Sequence, residues 1–297
     1  MKIFDCTTFF DEKMLMDLRF NILDKYVHKF IVVESIFSHS GKKKSLNFRK
    51  DDYPKFKDKI EYIIIEKEPE GLIQENHTTN NDSFKRMNSI KRIEQSYNYM
   101  SIGIKDADKN DLIMISDNDE IPNLEEIDLS GVANNFIIFE QLFFYYKFNL
   151  IYDKIKWPGT KACKKKNLTS FVNLKNLKNK KYPFWRMDTF FSKIKQTNLN
   201  IINNGGWHFT NVKTPEKLFE KLSNFGHHDE FEISNLTTDK LREKIKNKEV
   251  FYNHFADKSS PLKWDNNYKL KKMDDIFLPK YLIQNKSRYK EWFDLDK

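Results

Sequence analysis

The chain has 297 residues, of which 39% are hydrophobic, enough to bury the core of one large domain or two smaller ones. Its 26 Phe and 13 Tyr exclude a disordered chain, because disordered segments lack the aromatic residues that offset chain entropy on folding. Lys and Arg number 52 against 43 Asp and Glu, and the net charge of +9 indicates either phosphate-bearing partners or a surface solubilised by lysine.

The cysteine and apolar patterns restrict the cellular context. Cys6 and Cys163 are too few for a disulfide framework or a cysteine metal site, so we expect buried thiols in a reducing compartment. Asp5 and Asp11 interrupt any apolar core of a signal peptide. The most apolar stretch, Phe136–Phe148, is shorter than the roughly 20 residues of a spanning helix. We therefore predict a soluble, cytoplasmic protein that at most contacts a membrane peripherally.

Strand and helix patterns alternate through the first half of the chain. In order, we predict a strand at Lys2–Cys6, a helix at Asp11–Tyr26, strands at Phe30–Glu34 and Ile60–Ile65, a helix at Ser83–Lys105 and a strand at Asp111–Asp117. Apolar strands separated by helices indicate an α/β fold with a mostly parallel sheet and flanking helices. Ligands of such sheets bind beyond the carboxyl ends of the strands.

The second half of the chain is less regular. We predict a strand within Phe136–Leu150 and short amphipathic helices at Lys213–Phe225 and Thr238–Lys248. No repeat or Pro/Gly/Ser linker divides the chain. The sequence therefore predicts a single domain, residues 1–255, with a helical C-terminal extension, residues 256–297, packed on it.

The acidic segment Ser116–Pro122 carries the strongest functional signal. Asp117 and Asp119 are two residues apart, so in an extended segment their carboxylates point the same way. At a strand end the pair can hold Mg²⁺ or Mn²⁺, which would bridge a diphosphate. The alternative is an acidic turn in which Asn118 or Asp119 caps a helix that begins at Pro122.

Further candidate residues lie elsewhere in the chain. His208 follows two glycines that allow close approach to a ligand, and it is either a further metal ligand or a partly buried histidine with one hydrogen bond. The basic residues Arg86 and Lys161 are either phosphate contacts or solvated surface charges. The chain has no P-loop and no Gly-rich dinucleotide fingerprint, so ATP and NAD chemistry have no support.

Together these motifs resemble glycosyltransferase family 17, the family of β-1,4-mannosyl-glycoprotein β-1,4-N-acetylglucosaminyltransferase. The matches run in order over nearly the whole chain: Ile3–Cys6, Phe10, Glu12, Leu18, Arg19, Phe30–Ser35, Ser40–Lys42, Leu46, Ser116–Pro122, Tyr145, Tyr146, Trp157, Gly159, Gly206–Phe209 and Leu278–Tyr281. The resemblance implies a GT-A-like, Rossmann-related fold, a divalent cation (Mn²⁺ or Mg²⁺) and a UDP-sugar donor, UDP-GlcNAc in the family. It also implies inversion at the anomeric carbon and a mannose-containing glycan as acceptor.

The resemblance also assigns roles to individual residues. Asp117 and Asp119 would bind the metal and the donor, and His208 would be a third metal or phosphate contact. Glu34 and Ser35 fall where such folds contact the nucleotide. Arg86 and Lys161 complete the donor-binding candidates.

Inverting transfer also needs a carboxylate to take the proton of the acceptor hydroxyl. Glu230 is the first candidate, because His228–Phe231 resembles a His-x-Glu-aromatic segment of the family, and Asp188 and Glu140 are the other two. Animal members carry an N-terminal anchor and stem, whereas the first predicted strand here begins at residue 2. We therefore expect a glycan or lipid-linked glycan of a bacterial or viral surface as the acceptor.

Two other functions fit the same residues. A metal-dependent nuclease or phosphotransferase would use the two aspartates on nucleic acid, held by the net charge of +9. A non-catalytic carbohydrate-binding protein would use its aromatic residues to stack on sugars. We favour the transferase and expect no nucleic-acid partner, because no further acidic residues are spaced for a two-metal site.

Overall fold

The computed structural model describes residues 1–74, 81–125, 127, 129, 135–226, 228–232, 234–256, 261–264 and 266–295. The strands are β1 (Ile3–Thr8), β2 (Lys29–Ser35), β3 (Ile60–Ile65), β4 (Leu112–Ser116), β5 (Glu120–Pro122), β6 (Phe136–Tyr145), β7 (Leu150–Ile151), β8 (Trp157–Lys164), β9 (Leu199–Ile202), β10 (Gly206–Thr210) and β11 (Lys271–Lys272). The helices are α1 (Lys13–Leu23), α2 (Asn81–Gly103), α3 (Phe171–Lys175), α4 (Pro215–Leu222), α5 (His228–Glu232), α6 (Thr238–Asn247) and α7 (Lys280–Gln284). The predicted α/β class is confirmed.

The sheet is parallel in its first half and mixed in its second. Strands β3, β2, β1 and β4 lie side by side in that order, all parallel, as predicted. Strand β8 then pairs antiparallel with β4 and with β6. The short connection from β6 to β8 explains the reversal, because a parallel pair needs a crossover of a dozen residues or more. The parallel half therefore brings the carboxyl ends of β1, β2 and β4 to one edge.

Two apolar layers cover the sheet. Phe20 of α1 shares a buried cluster with Leu282 and Phe293, so the C-terminal residues pack on the same core as the strands. Met100 of α2 and Phe171 of α3 belong to the cluster on the opposite face. Successive residues of β1, β2 and β4 alternate between the two clusters, as the period of a strand requires. Within the described residues, no helix has both the length and the apolar composition needed to span a bilayer.

Most predicted elements have the expected type. The structure differs from the expectations at the end of α2 and at Pro122. Helix α2 ends at Gly103, before the predicted Lys105, and a Cβ at position 103 would lie 2.5 Å from Cγ1 of Ile31, so glycine allows this end of the helix to pack closely on β2. The helix considered at Pro122 does not form. Residues Glu120–Pro122 are instead strand β5, which pairs antiparallel with β10.

A buried ion pair joins the first strand, the first helix and the acidic segment. Arg19 is fully buried, and its Nε and Nη2 donate to the carboxylate of Asp5 at 2.7 and 2.5 Å. Its Nη1 donates to the backbone carbonyl of Glu120 at 2.6 Å. The side chain of Arg19 thereby links α1 to the start of β5.

We expect Arg19→Met to lower the free energy of unfolding by about 3 to 5 kcal/mol, because Asp5 would keep a buried, unpaired charge. Urea titration followed by circular dichroism measures the loss. The control is Arg49→Met, which removes an exposed ion pair with Asp52 and should change stability little. Equal losses in the two variants would contradict a structural role for the buried pair.

Candidate functional site

A cavity of about 300 Å³ opens at the carboxyl ends of β1, β2 and β4. Its lining comes from the strand ends, the acidic segment, α2, the end of α4 and two loops: Thr8, Phe9, Phe10, Glu12, Val33, Ser35, Phe37, His39, Lys44, Arg86, Arg92, Ile93, Ser96, Tyr97, Asp117, Asn118, Asp119, Lys221, Asn224, Phe225 and Gly226. This is the edge of the sheet at which the sequence predicted a ligand. Both predicted aspartates and Ser35 belong to it.

The carboxylate of Glu120 holds the acidic turn in shape. Oε2 accepts hydrogen bonds from the backbone N–H of Asp117 at 2.9 Å and from Nζ of Lys175 at 2.7 Å. Oε1 accepts one from the indole of Trp157 at 2.8 Å. Burial raises the pKa of Glu120, but the charge of Lys175 outweighs it and holds the pKa below its ordinary value. Residues 117–119 are therefore fixed by contacts from β8 and α3.

Strand β10 supports the turn from the other side, and this explains the second of the two glycines before His208. Gly206 has a φ of 143°, and a Cβ there would lie 2.2 Å from the carbonyl oxygen of Ile121. Glycine therefore serves close pairing with β5 rather than close approach to a ligand. The pairing places His208 opposite Glu120 in the strand register.

Asp119 lies between a histidine and a lysine. Its Oδ1 lies 3.4 Å from Nε2 of His208, and its Oδ2 lies 3.6 Å from Nζ of Lys221. Burial raises the pKa of Asp119, yet its electrostatic interactions with His208 and Lys221 hold the pKa well below its ordinary value. Asp119 is therefore an anion whose oxygens are held at longer than ideal hydrogen-bond distance.

Asp117 is the more accessible of the two aspartates. Its side chain is 42% exposed, and its Oδ2 lies 3.1 Å from Nζ of Lys175. The hydroxyl of Tyr97 donates to its Oδ1 at 3.4 Å. Lys175 thus contacts both Asp117 and Glu120 from the end of α3, a role that no motif in the sequence marks.

Glu12 connects the turn to the end of β10. Its Oε2 accepts a 2.6 Å hydrogen bond from the amide of Asn118, and its Oε1 lies 3.4 Å from Nζ of Lys213. Burial by itself raises the pKa of Glu12, but Lys213 and Lys221 outweigh it and lower the pKa from 4.5 to about 2. Glu12 is therefore ionised at neutral pH and positions Asn118.

Of the two predicted nucleotide contacts, Ser35 lines the cavity and Glu34 is buried in hydrogen bonds with the protein. Ser35 lines the cavity, and its hydroxyl accepts a hydrogen bond from the N–H of Phe37 at 3.0 Å. Glu34 is buried, and its carboxylate accepts hydrogen bonds from Lys44, from Tyr62 and from the backbone N–H groups of residues 47 and 48. Glu34 thus orders the loop that brings Lys44 to the cavity.

Arg86 and Lys161, the predicted basic contacts, lie in different places. Arg86 lines the cavity and donates to the backbone carbonyl of Gly226, which lines it too. Lys161 donates to the backbone carbonyls of Lys175, at 2.5 Å, and Leu177, at 2.8 Å, and is absent from the cavity lining. Burial lowers the pKa of Lys161 to about 8. These hydrogen bonds of Lys161 fix the end of α3 and the residues that follow it.

The three candidate bases lie outside the cavity lining. Glu230 lies four residues after Gly226, which lines the cavity, and forms an ion pair with the buried Lys263. Asp188 is paired with Arg186 at 2.6 Å and Lys195 at 2.7 Å in a surface segment. Glu140 accepts a 3.0 Å hydrogen bond from the amide of Asn179.

Two lining residues escaped the sequence reasoning. Lys221 is the last cation of α4, and burial, which lowers its pKa, is outweighed by Asp119 and Glu12, which raise it. The sequence predicted the amphipathic helix that carries Lys221, but it did not indicate that Lys221 reaches the cavity. His39 also lines the cavity, and burial lowers its pKa to about 4, so its imidazole is neutral at physiological pH.

The donor set at the turn suits a hard cation. Asp117 and Asp119 offer carboxylate oxygens to one cavity, and such oxygens are the ligands that Mg²⁺ and Mn²⁺ prefer. Across the described parts of the chain, no group of three or more His, Cys, Asp or Glu side chains is placed to hold a metal ion. His208 as a third ligand stays a prediction. Its Nδ1 is buried and has no hydrogen-bond partner among the described residues.

Comparison with known proteins gives one finding. The sequence matches the family model described as glycosyltransferase family 17 over residues 1–293. No curated protein matches it significantly.

The lowered pKa of Glu12 predicts how stability depends on pH. Because the folded pKa of about 2 lies below 4.5, the ionised carboxylate stabilises the protein above pH 4.5, and the gain disappears as the pH falls towards 2. We expect Glu12→Gln to cost about 3 kcal/mol near neutral pH and progressively less in acid. Urea titrations over this range give the difference.

The matched control for this prediction is Glu220→Gln, which removes an exposed carboxylate paired with Lys217 and should cost little at neutral pH. A loss for Glu12→Gln that stays constant down to acidic pH would contradict the account.

Proposed function

The chain belongs to glycosyltransferase family 17, and we propose that it is a metal-dependent, inverting enzyme that transfers GlcNAc from UDP-GlcNAc to a glycan hydroxyl. Family membership makes it a glycosyltransferase with a sugar donor and a glycan acceptor. It thereby favours the transferase over a nuclease or a non-catalytic sugar-binding protein. The cavity supports the finer proposal, because Asp117 and Asp119 line it at the strand ends beside Lys221 and Arg86.

The leaving UDP carries the charge that develops during transfer, so the site must stabilise a diphosphate. We propose that Lys221 and Arg86, which both line the cavity, contact the phosphate oxygens. Lys221 comes from α4 and Arg86 from α2, so two separate elements supply a cation to the same cavity. The aromatic side chains of Phe10 and Phe37 give the cavity apolar surface for the uracil ring.

The two aspartates would hold the cation. Mn²⁺ or Mg²⁺ bound there would neutralise negative charge on the diphosphate as the sugar–phosphate bond breaks. Asp119 is ionised and loosely paired, and Asp117 is partly exposed, so both can turn oxygens towards a cation. Glu120 holds the turn without joining the coordination, since both of its oxygens accept hydrogen bonds from protein groups, and Glu12 positions Asn118 through its Oε2.

We propose Glu230 as the base that takes the acceptor proton. It lies just beyond Phe225 and Gly226, which line the cavity, on the short helix α5. All three candidates have protein partners, which for Glu230 is Lys263. Asp188 and Glu140 are less favoured because no described residue between 120 and 220 lines the cavity.

Asp119→Asn and Asp117→Asn should each weaken Mn²⁺-dependent UDP binding by about 100-fold, because each removes a charged oxygen ligand. Calorimetry with UDP, with and without Mn²⁺, measures the effect, and hydrolysis of UDP-GlcNAc and UDP-glucose compares the donors. Asp51→Asn, at an exposed carboxylate, is the control and should bind like wild type. Unchanged UDP affinity in both site variants would refute the proposed site.

Glu230→Gln should lower kcat about 100-fold or more while leaving UDP affinity unchanged, because general-base catalysis acts on the transition state and not on donor binding. Asp188→Asn serves as the comparison and should keep kcat. A variant Glu230→Gln with normal kcat would exclude Glu230 as the base.

A further inference from the structure

A surface segment between α3 and β9 exposes an unusual number of large apolar side chains. Phe184, Trp185, Met187, Phe190 and Phe191 are each between 70% and 88% exposed, within eight consecutive positions. We call residues 178–195 the aromatic loop. Large exposed apolar clusters on a folded protein mark interaction surfaces, because water contact with them is unfavourable.

The aromatic loop is held in place at its base. The backbone N–H of Lys178 donates to the carbonyl of Ile194 at 2.9 Å, which closes the loop. Leu177 and Tyr182 are buried, and Lys161 donates to the carbonyl of Leu177. The exposed aromatic side chains therefore lie on a loop whose base is fixed by hydrogen bonds and buried side chains.

The tip of the aromatic loop is shaped by its charges. Asp188 receives hydrogen bonds from Nε of Arg186 at 2.6 Å and from Nζ of Lys195 at 2.7 Å. The rings of Phe184 and Trp185 meet edge to face, with 5.1 Å between centroids. The polar groups thus fasten the loop, and the apolar side chains remain turned to solvent.

The charge of the aromatic loop identifies its partner. It carries six cationic side chains and one acidic one, and Lys178, Lys180, Lys181 and Lys193 are exposed beside the aromatic residues. Aromatic and apolar side chains flanked by lysines fit the interface of an anionic bilayer, where rings enter the headgroup region and ammonium groups meet lipid phosphates.

We propose that the aromatic loop binds the surface of an anionic lipid bilayer and holds the enzyme at the membrane. The aromatic loop begins three residues after Lys175, whose ammonium contacts Asp117 and Glu120. The loop therefore follows, in the chain, the lysine that holds the acidic turn. The proposal does not depend on the identity of the donor, because it needs neither nucleotide nor metal.

Sedimentation with vesicles tests the proposal on the full chain without substrates. Vesicles of phosphatidylcholine alone are compared with vesicles that also contain phosphatidylglycerol. Wild type should bind the anionic vesicles, and added salt should weaken the binding. Phe190→Ser/Phe191→Ser and Lys180→Gln/Lys181→Gln should each reduce the partition by about tenfold or more.

Matched controls change similar side chains elsewhere. Ile276→Ser removes an 82% exposed apolar residue, and Lys246→Gln/Lys290→Gln removes two exposed lysines outside the loop. Both should bind like wild type. Trp185 gives a direct readout, since its emission should shift to the blue on anionic vesicles and Trp185→Phe should abolish that shift.

Three outcomes would overturn the proposal. The first is equal or absent binding on neutral and anionic vesicles, and the second is loop variants that bind like the controls. The third is a concentration-dependent dimer in sedimentation velocity that Phe190→Ser/Phe191→Ser abolishes, since a second copy of the chain would then cover the loop. Unchanged thermal unfolding of the loop variants excludes misfolding as the cause of lost binding.

Discussion

The hydrogen bonds around Glu120 are the constraint on which the site depends. Its carboxylate joins the turn to α3 and β8 through Lys175 and Trp157, and its backbone carbonyl receives the buried guanidinium of Arg19. Three separate parts of the chain therefore meet at one residue. Glu120 thus fixes the turn on which Asp117 and Asp119 face the cavity, and it shares Lys175 with Asp117.

The acidic residues around the cavity fall into two groups according to their contacts. Glu12, Glu34 and Glu120 are buried carboxylates whose oxygens accept several protein hydrogen bonds, and they position segments. Asp119 is buried but lies 3.4 Å from His208 and 3.6 Å from Lys221, and Asp117 is partly exposed. Their pairing within the protein is incomplete, and this is why we propose these two carboxylates, and not the others, as the metal ligands.

Local sequence patterns predicted the strands, the parallel half of the sheet and the edge that carries Asp117 and Asp119, because the period of each element is encoded in neighbouring residues and alternating strands and helices favour parallel pairing. The same local reasoning left a helix at Pro122 as an alternative, and pairing of this segment with β10 overrides the capping pattern there. Lys175 and Lys221 were missed, since only the tertiary fold brings them to the turn. Lys161 and Glu34 were predicted to contact the donor. Both are buried, and their charged groups instead form hydrogen bonds with the backbone after α3 and with the loop that follows β2.

A structure with Mn²⁺ and UDP tests the central claim most directly, because Mn²⁺ has an anomalous signal that locates it independently of the protein. The account predicts an anomalous peak within about 2.2 Å of a carboxylate oxygen of Asp117 or Asp119, with the diphosphate between the peak and Lys221. A peak outside this cavity, or UDP bound at another edge of the sheet, would contradict the account.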